Sequence, residues 1–361
     1  MPAAASDAAA AAADAAHGGP LPRIVITGVA GFIGSTLAQK LCEAGREVLG
    51  VDNFMCGYEA NLAWAEPPGR HAFTLLRASA GDDIVGDTLR AGDVVVHFGA
   101  ISALASNQEA PRRSYEANVA ATAGLLEACR LKGVAHFIFA STSAIYENTA
   151  AFPTSEASEC ARPNLIYSLG KRHCEELVRS FHEVYGLPFT NLRFYNIYGA
   201  QQDGLRTHPA LIPYLIDSLA RGEAPLLHSD GLQQRDYVYV ADLLRLLHTV
   251  LGGAPLNTEI NVCSGQAASV RDIVAVVQHA LHSDVQPIYR DPALLWEKSP
   301  VLWSGARPFP RERMREEVEK FTLGDGKKAF ELLGWRPEYS LKAGIAELVA
   351  ARLAKGTGGE K

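Results

Sequence analysis

The sequence lacks features that mark whole classes of protein. No uninterrupted apolar run approaches the roughly 20 residues that a helix needs to cross a bilayer, so we expect no membrane partner. Residues 1–19 are mostly Ala and hold neither the basic segment nor the Leu-rich core of a secretory signal, nor the Arg of a transit peptide. The sequence therefore favours a cytoplasmic location.

Cysteine is scarce and scattered. No two of the six cysteines form a C-x-x-C pair: Cys42, Cys56, Cys129, Cys160, Cys174 and Cys263. This pattern fits reduced thiols better than a disulfide framework or a zinc site. No cluster of His, Cys and Asp has the spacing of metal ligands, so we predict no metal. We interpret His97, His173 and His279 as packing or surface residues.

An excess of positive charge is also absent. The formal net charge is -6, which argues against a nucleic-acid partner. Apolar material is ample, since hydrophobic residues make up 48% of the 361 positions. The length suits one large domain or two smaller ones. We predict a disordered Ala-rich tail over residues 1–21, a first domain over 22–196 and a smaller lobe, interwoven with the first, over 197–361.

Short apolar runs alternate with helical patterns up to residue 196. The predicted strands are Ile24–Thr27, Glu47–Val51, Phe73–Arg77, Val94–Phe98, His136–Ala140 and Phe189–Phe194. The predicted helices are Phe32–Glu43, Ser114–Leu131 and Tyr167–Tyr185. This alternation indicates an α/β fold with a Rossmann-type, doubly wound parallel sheet over 22–196. Such sheets bind ligands at the carboxyl ends of their strands.

The pattern changes after Asn196. We predict helices at Pro209–Ala220, Val240–Leu251, Gly326–Leu333 and Leu341–Leu353, and short strands at Pro225–His228, Asp236–Val238 and Glu259–Val262. The segment Trp296–Arg315 is rich in Pro and Arg and is predicted to be irregular. We interpret this half as a smaller mixed α/β lobe, interwoven with the first, over the open end of the sheet.

A glycine motif with G-x-x-G-x-x-G spacing lies between the first strand and the first helix. Gly28 permits the tight turn, Gly31 lets backbone N–H groups approach a pyrophosphate, and Gly34 allows close packing. The alternative is a tight turn that holds no ligand. The residues that we expect to contact a dinucleotide are Gly28, Gly31, Phe32, Ile33 and Gly34.

Asp52 follows the second predicted strand. A carboxylate there accepts hydrogen bonds from the ribose of NAD and repels the 2′-phosphate of NADP. Asn53 offers no positive charge to hold that phosphate, so we predict NAD, with Asp52 and Asn53 in its site. The alternative is that Asp52 only starts a turn. Asp82 and Asp83 are candidates for an acid near the adenine.

Tyr167 and Lys171 lie one helical turn apart. The reference pKa of tyrosine is about 10, so roughly one phenol in a thousand is ionised at pH 7. A neighbouring ammonium, together with the positive ring of an oxidised nicotinamide, lowers that pKa. The pair therefore predicts a base at neutral pH, although this spacing also occurs by chance on many helices.

Three hydroxyl residues, Ser141, Thr142 and Ser143, follow the fifth predicted strand. They lie at the open end of the sheet, where the dinucleotide is expected. A hydroxyl at this place can share the reacting hydroxyl of a substrate with Tyr167. Only one of the three residues is expected to have this role. The other two are expected to form a Ser/Thr turn that caps the loop.

Six segments together resemble the extended short-chain dehydrogenase/reductase family: Thr27–Gly34, Asp52-Asn53, Ser141–Tyr146, Tyr167–Lys171, Arg193–Gly199 and Asp230–Asp242. Within that family they are similar to NAD-dependent nucleotide-sugar epimerases and dehydratases, in particular UDP-glucose 4-epimerase-like members. The resemblance covers about residues 22–350. It implies a Rossmann domain that holds NAD and a carboxyl-terminal lobe that holds a nucleoside-diphosphate sugar.

The resemblance also implies roles for single residues on the cofactor side. Thr142 would be the catalytic hydroxyl, Tyr167 the base and Lys171 its partner, and Tyr167 and Lys171 would also contact the cofactor. The remaining matches are the segment His97–Ala100, with Gly99 and Ala100 at the wall of the cofactor site, and Asn118 in the central helix.

On the substrate side the resemblance implies that Asn196 contacts the sugar diphosphate and that Arg235 binds the diphosphate. A guanidinium suits that role because its donors form a fork. The resemblance also implies a second diphosphate-binding arginine before the last helices, where Arg313 and Arg315 both fit. We take Arg315 as the candidate. Thr142 is also expected to contact the substrate. The stretch Arg307–Arg315 is either a solvated loop or a diphosphate clamp.

Three positions depart from the family pattern. Members that dehydrate or decarboxylate often carry an acid two residues before Tyr146, where this chain has Ala144. Glu147 stands where the family usually has Gly, which predicts an altered loop. Gly170 replaces the usual Ser before Lys171, with no obvious chemical consequence.

The resemblance implies an NAD-dependent epimerase that forms homodimers and acts at C4 of a UDP-sugar through a transient 4-keto sugar. One alternative is a dehydratase, decarboxylase or reductase on the same scaffold, and Ala144 argues against the first two. An alternative of another class is an NAD-binding sensor or scaffold without catalysis, and the presence of Thr142, Tyr167 and Lys171 argues against it. Pocket shape decides which sugar and nucleotide are bound, so the motifs leave both open.

Overall fold

The computed structural model describes residues 21–67, 72–158, 163–202 and 209–356. The predicted Ala-rich tail lies, except for Leu21, outside the described residues, and so does Cys160. The other five cysteines are free thiols, and all but Cys56 are buried. Within the described ranges no helix is both long and apolar enough to cross a membrane.

The strands of the described chain fall into one large sheet and two small ones. In chain order they are β1 (Ile24–Thr27), β2 (Val48–Asp52), β3 (Phe73–Arg77), β4 (Val94–His97), β5 (His136–Thr142), β6 (Phe189–Phe194), β7 (Asn196–Tyr198), β8 (Leu226–His228), β9 (Gln234–Tyr239), β10 (Glu259–Val262), β11 (Ala267–Ser269) and β12 (Ile288–Arg290). All six strands predicted before residue 196 are present, with ends shifted by at most two residues.

Helices connect most of these strands. The α-helices are α1 (Phe32–Glu43), α2 (Asp83–Thr88), α3 (Leu104–Glu109), α4 (Pro111–Tyr115), α5 (Ala121–Lys132), α6 (Ile166–Tyr185), α7 (Leu211–Ala220), α8 (Val240–Gly252), α9 (Val270–Leu281), α10 (Arg311–Glu319), α11 (Lys327–Leu333) and α12 (Leu341–Gly356). Short 3₁₀-helices lie at Glu59–Ala65, Ser143–Tyr146, Pro292–Leu294 and Pro300–Trp303, and a π-helical turn lies at Glu116–Ala120.

The large sheet has the strand order β10-β6-β5-β4-β1-β2-β3. Every neighbouring pair in it is parallel. Strand order reverses between β1 and β4, which leaves a crevice at their carboxyl ends. The predicted doubly wound, Rossmann-type sheet is thus confirmed.

Both faces of the large sheet are buried, because side chains alternate along each strand. On β1, Ile24 and Ile26 pack on one face together with α1 and α8. Val25 packs on the other face together with α5 and α6. The β-branched runs that marked these strands in the sequence therefore form two separate apolar layers.

The chain beyond residue 196 contributes a strand to the large sheet and side chains to more than one apolar core. β10 joins the edge of the large sheet beside β6. The two-stranded small sheet pairs β12 with β8, and the three-stranded one has the order β11-β9-β7. A third apolar cluster packs α7, α9 and α12 against this small sheet. The division at residue 196 stays a prediction, since β10 returns to the first layer.

The long helix predicted for Ser114–Leu131 is divided into α4, the π-helical turn and α5. Asn118 lies in the π-helical turn, where its amide accepts from the backbone N of Ile101 at 2.7 Å and donates to the Ile101 carbonyl at 3.1 Å. The wider turn therefore brings a polar side chain onto the loop after β4. Helical periodicity alone did not reveal this interruption.

The segment Trp296–Arg315 is not wholly irregular, because α10 begins at Arg311. Met314 and Val318, one turn apart on α10, are buried against Ala105 of α3. The helix α9 was not predicted, although Ser269 and Asp272 form a capping box at its start. In both cases the apolar spacing was present but was obscured by neighbouring charged residues.

Candidate functional site

A cavity of about 810 Å³ opens at the carboxyl ends of β1, β2, β4 and β5. Parallel sheets of this kind bind ligands at that edge. Its lining brings together the predicted residues of the cofactor side: Gly28, Gly31, Phe32, Ile33, Gly34, Asp52, Asn53, Gly99, Ala100, Thr142, Tyr167 and Lys171.

The glycine turn between β1 and α1 has no room for side chains. Gly28 has a φ of +71°, and a Cβ there would lie 2.7 Å from the backbone N of Gly99. A Cβ on Gly34 would clash with the Gly28 carbonyl. Gly31 caps α1 without a side-chain hydrogen bond, so the first N–H groups of α1 can face an anionic ligand at this end of the cavity.

Asp52 lies at the end of β2 and at the wall of the cavity. One carboxylate oxygen accepts from the backbone N of Ala30 at 2.9 Å, and the other accepts from the backbone N of Phe54 at 2.7 Å. These bonds fix the carboxylate, and each oxygen keeps a lone pair for a ribose hydroxyl. Asn53 donates to Ser79 at 3.0 Å.

Of the two acids predicted near an adenine, only Asp82 lines the cavity. It accepts from the backbone N of Ser79 at 2.8 Å and caps α2. Asp83 lies within α2. An acid near the adenine stays a prediction, and of the two candidates Asp82 is the one at the cavity wall.

Thr142 and Tyr167 lie side by side where β5 ends and α6 begins. The Thr142 hydroxyl caps the 3₁₀ turn Ser143–Tyr146 and accepts from the backbone N of Ala144 at 3.2 Å. Burial raises the pKa of Tyr167 to about 12, and its hydrogen bond with Thr142 opposes that shift. The two hydroxyls can therefore meet one substrate hydroxyl between them.

Lys171 is buried beneath Tyr167, with 4% of its surface exposed. Its Nζ donates to the Ala140 carbonyl at 2.6 Å and lies 4.6 Å from the centre of the Phe139 ring. Burial lowers its pKa to about 8. The sequence led us to expect a tyrosine with a lowered pKa, but in the protein without cofactor burial raises the pKa of Tyr167 and outweighs the hydrogen bond with Thr142.

A network of short polar contacts supports the cavity wall at the end of β4. His97 contacts the Thr27 hydroxyl at 2.6 Å and the Thr122 hydroxyl at 2.9 Å. Burial lowers the pKa of His97 to about 3, so the ring is neutral and serves as a packing residue. Within the described ranges, no group of three or more His, Cys, Asp and Glu residues is placed to hold a metal ion.

Of the predicted substrate residues, Thr142 lines this cavity, and Asn196, Arg235 and Arg315 do not. Asn196 is exposed on β7 and donates to the Asp236 carbonyl at 2.9 Å. Arg235 donates to the carbonyls of Glu317 and Val318 at 3.0 and 2.9 Å. Arg315 is half exposed and pairs with Asp291 at 3.0 Å.

A cluster of charges that the sequence did not indicate surrounds Glu317 on α10. Lys320 and Arg313 both pair with its carboxylate, and Arg235 donates to its carbonyl. Burial lowers the pKa of Arg235 and of Lys320, and the positive charges of Arg235 and Arg313 lower that of Lys320 further. Only the fold brings β9 and α10 together, so spacing along the chain carried no signal for this cluster.

Comparison with known proteins agrees with this geometry. A model described as the NAD dependent epimerase/dehydratase family matches residues 24–263. The chain belongs to this family. The resemblance inferred from the motifs is confirmed, and so is NAD as the cofactor.

Full-length relatives support membership of the epimerase/dehydratase family. The chain is 30% identical over 327 residues to a putative UDP-glucose 4-epimerase of Methanocaldococcus jannaschii, with 90% of this chain and 97% of the relative covered. A UDP-glucose 4-epimerase structure with UDP-glucose from Thermotoga maritima matches with a TM-score of 0.80 at 30% identity, covering 92% of this chain and 99% of that chain. A Thermus thermophilus UDP-glucose 4-epimerase complex with NAD matches with a TM-score of 0.75 at 26% identity, covering 91% and 98%.

The cavity fits the family's cofactor. The side-chain-free turn at Gly28 and Gly31 suits the pyrophosphate, and Asp52 suits a ribose without a 2′-phosphate. We expect Asp52→Asn to narrow the preference for NAD over NADP by roughly tenfold, an effect of about 1.4 kcal/mol. The amide loses the repelling charge and keeps only one acceptor oxygen, so one of the two bonds from the backbone N–H groups of Ala30 and Phe54 is lost as well.

Calorimetric titration of both dinucleotides checks the Asp52 prediction. Asp87→Asn, at an exposed acid of α2, is the matched control and should leave the NAD preference unchanged. Tighter binding of NADP than of NAD to the unaltered protein would contradict the role given to Asp52.

Proposed function

We propose that this protein is an NAD-dependent epimerase that inverts C4 of a UDP-sugar through a transient 4-keto sugar. The observation that carries the proposal is Tyr167, which is hydrogen-bonded to Thr142 and lines the dinucleotide cavity together with buried Lys171. The relatives named as UDP-glucose 4-epimerases support the choice of substrate class.

Gly28, Gly31 and Asp52 would hold NAD in the cavity, where it would supply the acceptor and donor of the hydride at C4. In this proposal Tyr167 takes the proton of the 4-hydroxyl, and Thr142 holds that hydroxyl in place through its own. Lys171 supplies the positive charge that favours phenolate over phenol. The protein otherwise positions the sugar and excludes water.

The site as proposed favours return of the hydride over elimination of water. Elimination needs an acid beside the sugar to protonate the leaving hydroxyl. The nearest position in the motif is Ala144, which has no proton to give. A 4-keto sugar formed here would persist only until it is reduced.

We propose Arg235, Asn196 and Arg315 as anchors of the diphosphate, so that the keto sugar turns while its nucleotide stays bound. The guanidinium of Arg235 is bound to backbone carbonyls, which carry no full charge and leave the cation free to attract a diphosphate. Asn196 lies on the strand that pairs with β9. Arg315 reaches the diphosphate only if it releases Asp291.

Incubation with a panel of nucleotide sugars tests the reaction. The panel holds UDP-glucose, UDP-galactose, UDP-glucuronate and UDP-N-acetylglucosamine, and NMR and mass spectrometry follow the products. We expect one pair of epimers to reach the same equilibrium mixture from either side, with unchanged mass. A product lighter by one water or one carbon dioxide, or stoichiometric reduction of the cofactor, would contradict epimerisation.

A homodimer in the cytoplasm is also part of the proposal. The adjacent helices α4 and α6 expose Tyr115 and Val184, at 44% and 66% of their surfaces, and a second copy that covered both side chains would remove apolar surface from water. The free thiols of the described cysteines fit a reducing compartment. Light scattering after size exclusion measures the oligomeric state, and a monomer at micromolar concentration would contradict the dimer.

A further inference from the structure

Glu147 is a buried carboxylate that the proposed proton transfer does not use. Its side chain is only 3% exposed, and it directly follows the 3₁₀ turn that Thr142 caps. Burying a carboxylate costs several kcal/mol unless it is paired and hydrogen-bonded. The partners of Glu147 therefore decide whether its charge is tolerated at this position.

One oxygen of Glu147 binds the start of α6. It accepts from the backbone N of Asn164 and of Leu165, each at 3.3 Å. Leu165 is the N-cap of α6 and has no side-chain cap of its own. Because a carboxylate is favourable at a helix N-terminus, Glu147 fixes the first turn, which carries Tyr167.

The other oxygen of Glu147 is ion-paired with Arg313 of α10. Arg313 also lies 3.5 Å from Glu316 and 3.9 Å from Glu317, and it is 17% exposed. Met314 and Val318 of α10 belong to the same buried apolar cluster as Ala105 of α3. The ion pair thus joins the carboxyl-terminal half of the chain to the loop between β5 and α6.

A third contact connects Glu147 to the catalytic hydroxyl. The backbone N of Glu147 donates to the Ala144 carbonyl at 3.1 Å. The backbone N of Ala144 in turn donates to the Thr142 hydroxyl at 3.2 Å. Glu147 is therefore bound to the segments that present both Thr142 and Tyr167.

We propose that Glu147, through its ion pair with Arg313, is a positioning residue that sets the geometry of Tyr167 and Thr142 according to the placement of α10. The proposal rests on the proposed roles of Tyr167 and Thr142. In this proposal Arg313 pairs with Glu147 and does not bind the diphosphate of the substrate. A displacement of about 1 Å at reacting groups costs up to roughly 100-fold in rate, so a loosened pair should be visible in kcat.

Kinetics of Glu147→Gln and Arg313→Met separate positioning from substrate binding. Glu147→Gln keeps an acceptor oxygen for the backbone N–H groups of Asn164 and Leu165. It removes the negative charge that pairs with Arg313. We expect kcat for the UDP-sugar to fall roughly 10- to 100-fold in each variant, with little change in KM. The double variant should be no slower than the slower single one, because both remove the same pair. Arg313→Lys should restore part of kcat.

Two exposed neighbours on α10 provide matched controls. Glu312→Gln and Arg311→Met change the same charges on the same helix without touching Glu147, and both should retain the wild-type kcat. If Arg313 instead binds diphosphate, Arg313→Met raises KM with kcat intact, and Glu147→Gln lowers KM by freeing the arginine. Either result would overturn the proposal.

Hydrogen exchange measured by mass spectrometry tests the connection without turnover. Glu147→Gln and Arg313→Met should each speed exchange in residues 164–169 and in 311–319 together, while the two controls leave both segments unchanged. Faster exchange in only one segment overturns the proposal. Wild-type protein that fails to epimerise any UDP-sugar would remove the proposed function, and the exchange result would still decide whether Glu147 connects α6 to α10.

Discussion

Tyr167→Phe is expected to lower kcat by roughly 10²- to 10⁴-fold, the usual contribution of a positioned proton-transfer group. The variant loses only the phenolic oxygen, and the ring on the first turn of α6 still fills the same space. The Thr142 hydroxyl keeps its bond from Ala144, so the loop should not move. Loss of rate without loss of fold would therefore identify the phenol as the base.

Binding measurements complete the test of Tyr167. Affinity for NAD and for the UDP-sugar should stay within a few-fold of wild type, since Gly28, Asp52 and Arg235 are unchanged. Tyr185→Phe, at the exposed far end of the same helix, is the matched control and should turn over normally. Near-normal rates in Tyr167→Phe would mean that another group acts as the base.

The parts of the fold that the sequence predicts best are those with local signals. The β-branched runs at Ile24–Thr27 and Val94–His97 bury both faces, so composition alone indicates a parallel strand. The spacing of Gly28, Gly31 and Gly34 identifies the turn because no other residue type fits there. These features explain why the first six strands and the glycine turn were predicted close to their observed bounds.

Other features depend on partners that lie far along the chain. The pattern of Glu259–Val262 predicts a strand, but only its pairing with β6 places it in the large sheet. The pairing of Glu147 with Arg313 joins residues 166 positions apart. The raised pKa of Tyr167 and the lowered pKa of Lys171 follow from burial, which a motif does not report.

Lys171→Met is expected to lower kcat by at least about 100-fold, because the ammonium is the group that favours phenolate. Met has a similar length and an apolar stem, so it fills the same space beside Phe139. The cost to the fold is the hydrogen bond to the Ala140 carbonyl, which is worth about 1 kcal/mol. The cofactor and the sugar are supplied at saturating concentrations, so that the measured rate is kcat.

The same variant should show that Lys171 is charged and buried in the folded protein. Its pKa is about 8 when folded, below the reference value of 10.5. The unfolded chain therefore holds this proton more tightly, and stability from this group rises with pH between about 8 and 10.5. Below pH 8 the wild type bears the full cost of burying the charge, and Lys171→Met does not.

Urea unfolding measures this difference. At pH 7 the free energy of unfolding of the variant should be at least that of the wild type. As the pH is raised to 10, the free energy of unfolding of the wild type should rise relative to that of the variant. A difference in free energy of unfolding that stays constant across this window would mean that the pKa of Lys171 is not lowered in the folded protein.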